Sequence, residues 1–197
     1  MTNTDTSSPK VILASTSRYR ASLLSRLGVA FEKKAPRIDE SQKPGETAEQ
    51  MAARLAREKC LAIARSAEDH LVIGSDQVAT INGEVLGKPG DFDHAVAQLQ
   101  RLSGQTVTFV TALCGSYNRN VWEYVDRTLV TFRRLEDGEI KRYITAENPL
   151  DCAGSFKSEG LGISLFDQVQ SDDPTALIGM PLIATARLMR QCGIQVP

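Results

Sequence analysis

Asp76 is the residue around which the candidate chemistry of this sequence gathers. It follows the apolar run Leu71-Val72-Ile73 through a glycine and a serine. The run predicts a buried strand, and open α/β sheets bind their ligands at the carboxyl ends of such strands. An aspartate at that point can bind a metal ion or take a proton from water. Capping a turn is the alternative, and it is the commoner role of an isolated aspartate.

Three further charged residues could act with Asp76 on a ligand that carries phosphates. Glu40 and Asp76 could hold a hard divalent ion such as Mg²⁺ together with phosphate oxygens. Lys59 and Lys88 could offset the charge of a polyphosphate and of a leaving pyrophosphate. Taken one by one, each of these residues is most often a surface residue.

The position of Lys59 in its predicted helix leaves two interpretations open. It falls four residues after Leu55 and eight after Met51, and so lies on the inward face. A lysine there costs desolvation unless its ammonium meets an anion. Alternatively, the side chain extends to the edge of the apolar stripe and reaches solvent.

The segment Ser15-Thr16-Ser17-Arg18-Tyr19-Arg20 is a strand-to-helix turn rich in hydroxyls and arginine. Free amides at a helix N-terminus attract phosphate, and arginine adds bidentate donors. The sequence has no GxxxxGK[ST] motif, so this turn is not a P-loop. On local chemistry alone, a phosphate site and a plain helix cap are equally supported.

Other kinds of site find little support. The two histidines form no HxH or HExxH motif, and the four cysteines lie far apart without a CxxC pair. This pattern predicts reduced thiols rather than a zinc site or a disulfide framework. No neighbouring histidine would activate Cys152, so a thiol nucleophile is not expected.

Composition predicts a soluble cytoplasmic protein. The chain has 197 residues, 42% of them hydrophobic and 24% charged, with a net charge of -1. That balance argues against broad adhesion to nucleic acid or to an anionic membrane. The start of the sequence is not a secretory signal, and no apolar run is long enough to span a bilayer. We expect residues 1–10 to form a disordered tail and residues 11–197 a single domain.

The order of predicted elements indicates an α/β fold with a mixed sheet. A capping box at Thr47 opens a long helix, and Asn82-Gly83 joins two short strands as a hairpin. A second hairpin turns near Asn118-Arg119-Asn120. The pattern also predicts a strand over 162–166 and a last helix with Pro181 in its first position.

Seven short motifs in order resemble those of Maf-like proteins, which are nucleoside triphosphate pyrophosphatases. The match spans about Val11 to Gly193, and the order is far more specific than any one motif. The motifs are Leu13-Ala14-Ser15-Thr16-Ser17, Ile38-Asp39-Glu40, Glu58-Lys59, Gly74-Ser75-Asp76-Gln77-Val78, Gly87-Lys88-Pro89, Ala153-Gly154 and Ile178-Gly179-Met180-Pro181-Leu182. The resemblance implies an elongated mixed β-sheet flanked by helices, in two lobes with a cleft. It also implies a reaction that depends on a divalent metal (Mg or Mn) and releases pyrophosphate and a nucleoside monophosphate.

The segment from Cys152 to Gly160 resembles, more narrowly, the subgroup that hydrolyses 7-methyl-GTP. By that resemblance Asp76 is the proton acceptor, Ser15, Arg20, Lys59 and Lys88 bind substrate, and Glu40 binds the metal. Tyr19, Gln77 and Glu159 take the positions that choose the base. The family usually has Ser-Pro-Arg-Arg, or Ser-Pro-Trp-Arg in this subgroup, where this chain has Ser17-Arg18-Tyr19-Arg20.

The chemistry of 7-methylguanine agrees with this assignment. The methylated ring is cationic, and Tyr19 could offer it an aromatic face. Glu159, as a buried acceptor, could bind the N1 and N2 groups of guanine, which thymine and uracil lack. The alternatives are a Maf-like enzyme that prefers dTTP, UTP or other modified nucleotides, a nucleotide-binding regulator of cell division, and a structural α/β module. A homodimer is the commonest default assembly.

Overall fold

Seven strands form one mixed sheet in a computed structural model that describes residues 8–197. The strand order is β2-β1-β3-β5-β6-β7, with β4 paired to β3. β1 is parallel to β2 and to β3, and every other pairing is antiparallel. The strands are β1 (Val11–Leu13), β2 (Phe31–Lys33), β3 (Leu71–Ile81), β4 (Glu84–Leu86), β5 (Thr106–Tyr117), β6 (Asn120–Phe132) and β7 (Phe166–Gln170).

Within residues 8–197, five helices flank this sheet. They are α1 (Arg18–Ser25), α2 (Ala48–Ala64), α3 (Phe92–Leu102), α4 (Asp137–Glu147) and α5 (Leu182–Gln191). Short 3₁₀ turns cover Ala153–Ser155, Leu161–Leu165 and Ala176–Ile178. In the described residues, none of the helices combines the length and the apolar character that crossing a membrane requires.

The sheet divides into two lobes because β3 changes its partner along one edge. β1 pairs with β3 as far as Ile73, and the pairing of β3 with β4 starts at Ala79, opposite Leu86. Residues 74–78 have no strand beside them on that edge in the described part of the chain, while β5 pairs with β3 from Val72 to Thr80 on the other edge. Asp76 therefore lies in the middle of β3. The expectation that it follows the end of a strand is wrong, because pairing with β5 carries the strand through the polar residues.

Each lobe has its own apolar core on the same face of the sheet. In the first lobe, α1 and α5 pack on Val11, Leu13, Ile73 and Leu113. In the second, α3 and α4 pack on a core that includes Ala79, Phe109 and Phe132. Helix α2 covers the opposite face. The elongated sheet with two lobes agrees with the predicted architecture.

A row of polar residues separates the two cores. Gln77, Thr111 and Asp126 lie side by side on β3, β5 and β6, and we call them the polar row. The segment 171–180 crosses the sheet over this row, where Thr111 Oγ1 donates to the carbonyl of Ala176 (2.9 Å). The row therefore binds a connecting segment by hydrogen bonds where apolar packing is interrupted.

Most of the predicted turns and caps are confirmed. Thr47 and Gln50 form the capping box, and the Asn82-Gly83 turn has the positive φ angles, 51° and 82°, that favour this dipeptide. The strand predicted over 162–166 is wrong: a 3₁₀ turn occupies Leu161–Leu165 and the strand begins at Phe166. Pro181 caps α5 instead of opening it.

The predicted N-terminal tail falls largely on residues 1–7, which lie outside the described residues. Residues 8–10 contact the fold: Ser8 Oγ donates to the Gly193 carbonyl (3.3 Å), and the Lys10 carbonyl accepts a hydrogen bond from the Leu71 amide (2.9 Å). All four cysteines are free thiols, in agreement with the prediction.

Candidate active site

A cleft of about 620 Å³ opens at the unpaired edge of β3, between the two lobes. Residues from α1, α2, β3, the β4 hairpin and the segments 151–159 and 177–179 line it. All nine residues singled out in the sequence lie on its walls: Ser15, Tyr19, Arg20, Glu40, Lys59, Asp76, Gln77, Lys88 and Glu159.

Helix α2 brings Lys59 onto Asp76 because Gly74 lets the helix approach the strand closely. A Cβ on Gly74 would lie 2.4 Å from the Ala56 carbonyl oxygen and 2.7 Å from the Cys60 nitrogen. With that close packing, Lys59 Nζ lies 2.6 Å from Asp76 Oδ1 and 3.1 Å from Glu40 Oε2. Lys59 is 4% exposed and Asp76 is 6% exposed. Lys59 thus contacts two carboxylates. Of the two interpretations that the sequence left open, contact with an anion is the one found in the structure.

Arg20 is the second cation beside Asp76, and Gly179 orients it. The Arg20 Nε donates to the Gly179 carbonyl (3.0 Å), which turns Nη2 to within 3.5 Å of Asp76 Oδ1. Ser75 Oγ donates to the same carbonyl (3.0 Å). Gly179 has a φ of 126°, a conformation that side chains rarely adopt, so glycine is required there.

The start of α1 forms the wall next to Arg20. Ser17 caps the helix by accepting a hydrogen bond from the Arg20 amide (3.3 Å). Ser15, which is buried, accepts one from the Ser17 amide (3.1 Å). Both interpretations of this turn are therefore compatible with the geometry, since a capped helix start also lines the cleft.

The loop that carries Glu40 is fixed to α2 by Arg54. Its guanidinium binds both carboxylate oxygens of Glu46, at 2.6 and 2.7 Å, and the carbonyl of Ser41 at 3.0 Å. Hydrogen bonding to Arg54 lowers the pKa of Glu46 to about 2. Glu40 itself remains exposed. Arg54 thus ties the segment that directly follows residue 40 to α2, the helix that carries Lys59, and Glu40 Oε2 lies 3.1 Å from Lys59 Nζ.

Lys88 faces the cleft from the second lobe. It follows β4, is exposed, and makes no salt bridge within residues 8–197. Its ammonium is available for an anion in the cleft, opposite the Lys59 and Arg20 cations of the first lobe.

Tyr19 belongs to a polar cluster at the other end of the cleft. Its hydroxyl donates to Asp151, with oxygen distances of 3.2 and 3.3 Å, and accepts from Arg18 Nη2 at 2.8 Å. Burial raises the pKa of Tyr19 to about 12 and that of the neighbouring Cys152 thiol to about 11. Burial opposes ionisation of Asp151 too, but hydrogen bonds from Cys152 and Tyr19 and the charge of Arg18 hold its pKa below the usual value.

The surroundings of Gln77 and Glu159 differ from those expected of residues that bind the base. The Gln77 amide nitrogen donates to the carbonyls of Ala176 and Leu177 (2.8 and 2.9 Å) and to Thr111 Oγ1 (3.1 Å). It therefore holds the 176–179 segment in place, and only its oxygen remains for a ligand. Glu159 is exposed, so the expectation of a buried acceptor is wrong.

The segment that carries Glu159 is held at both ends. Phe156 is buried among Phe109, Phe132 and Phe166, with edge-on ring contacts at centroid distances of 4.8–5.7 Å. Beyond it, the Glu147 carboxylate accepts a hydrogen bond from the Leu161 amide (2.8 Å). Glu159 lies between these two anchors, where the chain bends around the cleft.

Glu40 and Asp76 fit a divalent cation only with help from a ligand. Both carboxylates bind one ammonium, so a hard cation between them would find two oxygen donors. Residues 8–197 contain no group of three or more His, Cys, Asp or Glu side chains able to hold a metal. Phosphate oxygens and water would have to complete the coordination, which is the usual arrangement for Mg²⁺ in phosphate-transfer sites.

Several residues of the cleft escaped the sequence analysis. Asp151 gave no signal, and Arg18 was marked only as part of the arginine-rich turn, because the contact between the two residues joins segments 133 residues apart. The carbonyl of Gly179 was equally hidden, since backbone atoms carry no sequence signature. The motif around Gly179 did mark its segment.

Comparison with known proteins places this cleft in a family. The chain is 52% identical to the 7-methyl-GTP pyrophosphatase of Xanthomonas axonopodis pv. citri (strain 306) over 189 residues, which are 96% of this chain and 100% of that protein. It is 47% identical to the 7-methyl-GTP pyrophosphatase of Pseudomonas aeruginosa over 191 residues, with 96% and 100% covered.

A solved structure and a family model complete the comparison. A HAM1 protein from Coxiella burnetii aligns over 94% of this chain and 98% of its own, with a TM-score of 0.51 and 13% identity, which confirms the α/β fold. The family model described as Maf-like protein matches residues 10–192, a range that includes every element of both lobes and the cleft between them. The chain therefore belongs to the Maf-like protein family.

Proposed function

We propose that this protein hydrolyses 7-methyl-GTP to 7-methyl-GMP and pyrophosphate and so removes a modified nucleotide from the cell. The observation that carries the proposal is Asp76, a buried carboxylate that contacts Lys59 and Arg20 and borders the cleft at the unpaired edge of β3. The names of relatives that are about half identical over nearly the whole chain support the choice of substrate.

In this mechanism Asp76 takes the proton of the water that attacks between the α- and β-phosphates. Lys59 and Arg20 lie within 2.6 and 3.5 Å of Asp76, close enough to stabilise negative charge that develops on the attacked phosphoryl group. Lys88, reaching in from the second lobe, neutralises the leaving pyrophosphate. Ser15 and the amides at the start of α1 bind the remaining phosphate oxygens.

Glu40 and Asp76 would hold a divalent cation, Mg²⁺ or Mn²⁺, together with the phosphates. When bound, such an ion polarises the phosphoryl oxygens and offsets the charge of the leaving group. Both carboxylates contact the ammonium of Lys59, which would compete with the ion for their oxygens and would be available to phosphate oxygens once the ion is bound.

Tyr19 and Glu159 select the base. A cation stacked on an aromatic ring is stabilised by about 0.5–2 kcal/mol, which favours methylated over unmethylated guanine. Glu159 reads the N1 and N2 edge of the purine as the base fills the cleft and reduces the exposure of the carboxylate. Gln77 contributes its remaining oxygen and fixes the 176–179 segment behind the base.

The test is pyrophosphate release from 7-methyl-GTP, GTP, dTTP, UTP and CTP with Mg²⁺ or Mn²⁺, comparing wild type with Asp76→Asn. We expect 7-methyl-GTP to be the best substrate and its kcat to fall at least about a hundredfold in the variant, because general-base catalysis contributes factors of about 10²–10⁴. Asp167→Asn, which changes an exposed aspartate on β7 in the same way, is the control.

Each of the other possible results would lead to a different conclusion about the function of the protein. A preference for dTTP and UTP would keep the reaction but overturn the roles of Tyr19 and Glu159. Nucleotide binding without turnover of any substrate would overturn the enzyme and favour a nucleotide-binding regulator. Full activity of Asp76→Asn would remove Asp76 from the mechanism.

A further inference from the structure

At the Tyr19 end of the cleft, the flat guanidinium cation of Arg18 lies over the Tyr19 ring. The guanidinium carbon of Arg18 lies 4.9 Å from the centroid of the Tyr19 ring. Arg18 Nη2 also lies 3.3 Å from Asp151 Oδ2. An aromatic face beside a carboxylate is a pair of groups that attracts a delocalised organic cation.

Arg18 is held at this site only weakly. Its side chain is 71% exposed and that of Asp151 is 51% exposed, so their ion pair is a surface contact of small energy. Arg18 is the first residue of α1, and its helix start depends on the Ser17 cap rather than on its own side chain. A ligand can therefore displace the guanidinium without disturbing the helix.

We propose that Tyr19 and Asp151 form a subsite for a planar cationic base, and that Arg18 occupies this subsite until the base replaces it. The inference rests on the proposed function, because it takes a 7-methylguanine nucleotide as the ligand. The methylated ring is flat, delocalised and positively charged, like the guanidinium it replaces. Neutral guanine carries no positive charge for Asp151 to attract and so replaces Arg18 less readily. Asp151 and Arg18 are thus specificity-determining residues that respond to the charge of the base.

Two substitutions should shift the selectivity in opposite directions. Asp151→Asn keeps an oxygen that accepts the Tyr19 hydrogen bond and removes only the charge, so it should lower the preference for the cationic base. Arg18→Ala removes the positive charge beside the subsite, which repels a cationic base and not a neutral one, and should raise that preference. GTP serves as the internal reference, because effects on the phosphates or on the metal are common to both substrates.

The experiment measures kcat/KM for 7-methyl-GTP and for GTP in wild type, Asp151→Asn and Arg18→Ala. We expect the ratio of the two constants to fall about two- to fivefold in Asp151→Asn and to rise by a similar factor in Arg18→Ala, as an exposed contact of about 0.5–1 kcal/mol implies. Arg26→Ala, at the other end of α1, and Asp167→Asn are the controls and should leave the ratio unchanged.

The equilibrium binding of 7-methyl-GMP and GMP, measured by calorimetry, separates this inference from the proposed function. If no triphosphate is hydrolysed, the proposed reaction fails, while the ratio of the two dissociation constants still tests the cation subsite. If wild type hydrolyses 7-methyl-GTP but neither substitution changes either ratio, the subsite is overturned and the reaction stands. A uniform loss with both substrates in Arg18→Ala would make Arg18 a phosphate ligand and would likewise overturn the inference.

Discussion

At the scale of single residues, the candidate chemistry rests on a lysine and an aspartate that are both almost fully buried. Taking these charges out of water costs several kcal/mol for each ion, and their attraction offsets that cost only when the geometry is good. Lys59 and Asp76 meet this condition, with 2.6 Å between Nζ and Oδ1. Replacing a buried ion pair by apolar side chains of similar volume often leaves the stability of a fold unchanged or raises it. Stability alone therefore does not account for the ion pair, and the proposed reaction gives it a role.

Lys59→Met should increase the affinity of the protein for Mn²⁺ in the absence of nucleotide. The substitution removes the cation that now neutralises Glu40 and Asp76, and methionine retains most of the buried volume. A charge a few ångströms away changes an interaction by about 1 kcal/mol even in water, so we expect binding about tenfold tighter. Electron paramagnetic resonance of unbound Mn²⁺ measures this affinity directly.

The same variant should lose pyrophosphatase activity, since it removes the ammonium beside Asp76 that stabilises the attacked phosphoryl group. Lys43→Met is the matched control, because this exposed lysine pairs with Glu58 (3.6 Å) outside the cleft. An unchanged affinity for Mn²⁺ in Lys59→Met would show that Glu40 and Asp76 are not the metal ligands.

The residues of the cleft were largely predictable, but their partners were not. Ordered motifs marked Asp76, Lys59 and Lys88, and the helical spacing of Lys59 indicated its inward face. Nothing near Gln77 in the sequence indicates that its amide binds carbonyls 99 and 100 residues further along the chain. Such contacts depend on how the lobes assemble, and local pattern carries no information about them.

At the scale of elements, β3 shows how tertiary pairing overrides a local pattern. The apolar run ends at Ile73, and the glycine, serine and aspartate that follow suggest a turn. In the fold, β5 hydrogen-bonds to β3 along this whole stretch, so the polar residues remain in strand conformation. The prediction of a strand over 162–166 is wrong because its apolar residues suggested a buried strand. In the structure Leu161 and Ile163 are exposed, and this stretch forms a 3₁₀ turn instead of pairing with the sheet.

Gly74→Ala should destabilise the protein and weaken its activity together. The new methyl group would meet the backbone of α2 at Ala56 and Cys60, which cannot move aside as a flexible side chain can. Overpacking of this kind costs about 1–3 kcal/mol, and relief by a shift of α2 would draw Lys59 away from Asp76. Urea unfolding and pyrophosphate release measure the two effects.

Gly87→Ala is the control for this substitution, because a Cβ there meets nothing within 4 Å. It should leave the free energy of unfolding close to that of wild type. If Gly74→Ala were as stable and as active as Gly87→Ala, close packing of α2 on β3 would not be what positions Lys59.

At the scale of the whole molecule, three long strands connect the lobes. β3, β5 and β6 have 11, 12 and 13 residues and contribute to both apolar cores. The chain order of elements and the two-lobe shape could be predicted from the sequence and its resemblance. The polar row between the lobes could not, because Gln77, Thr111 and Asp126 become neighbours only through strand register.

We expect the two lobes to unfold in one cooperative transition, as the prediction of a single domain requires. Trp122, the only tryptophan, packs in the core of the first lobe, so its fluorescence reports on that lobe alone. Far-UV circular dichroism reports on both lobes. The urea midpoints of the two signals should coincide, because breaking β3, β5 and β6 in one lobe removes their pairing in the other.

Separate midpoints for fluorescence and circular dichroism would contradict this expectation and would divide 11–197 into two folding units. Phe156→Leu serves as a comparison, since it loosens only the aromatic cluster of the second lobe. If the protein is one unit, this distant change should lower the tryptophan midpoint as much as the circular dichroism midpoint.

The hydrogen bond from Arg20 to the Gly179 carbonyl also has a consequence for protein synthesis. The two residues are 159 positions apart, yet this contact directs the guanidinium toward Asp76. A ribosome that has translated as far as residue 150 has already made Asp76, Lys59 and Lys88, but not the segment that orients Arg20. The nascent chain therefore cannot assemble this arrangement of Arg20, Gly179 and Asp76 until translation has passed residue 179.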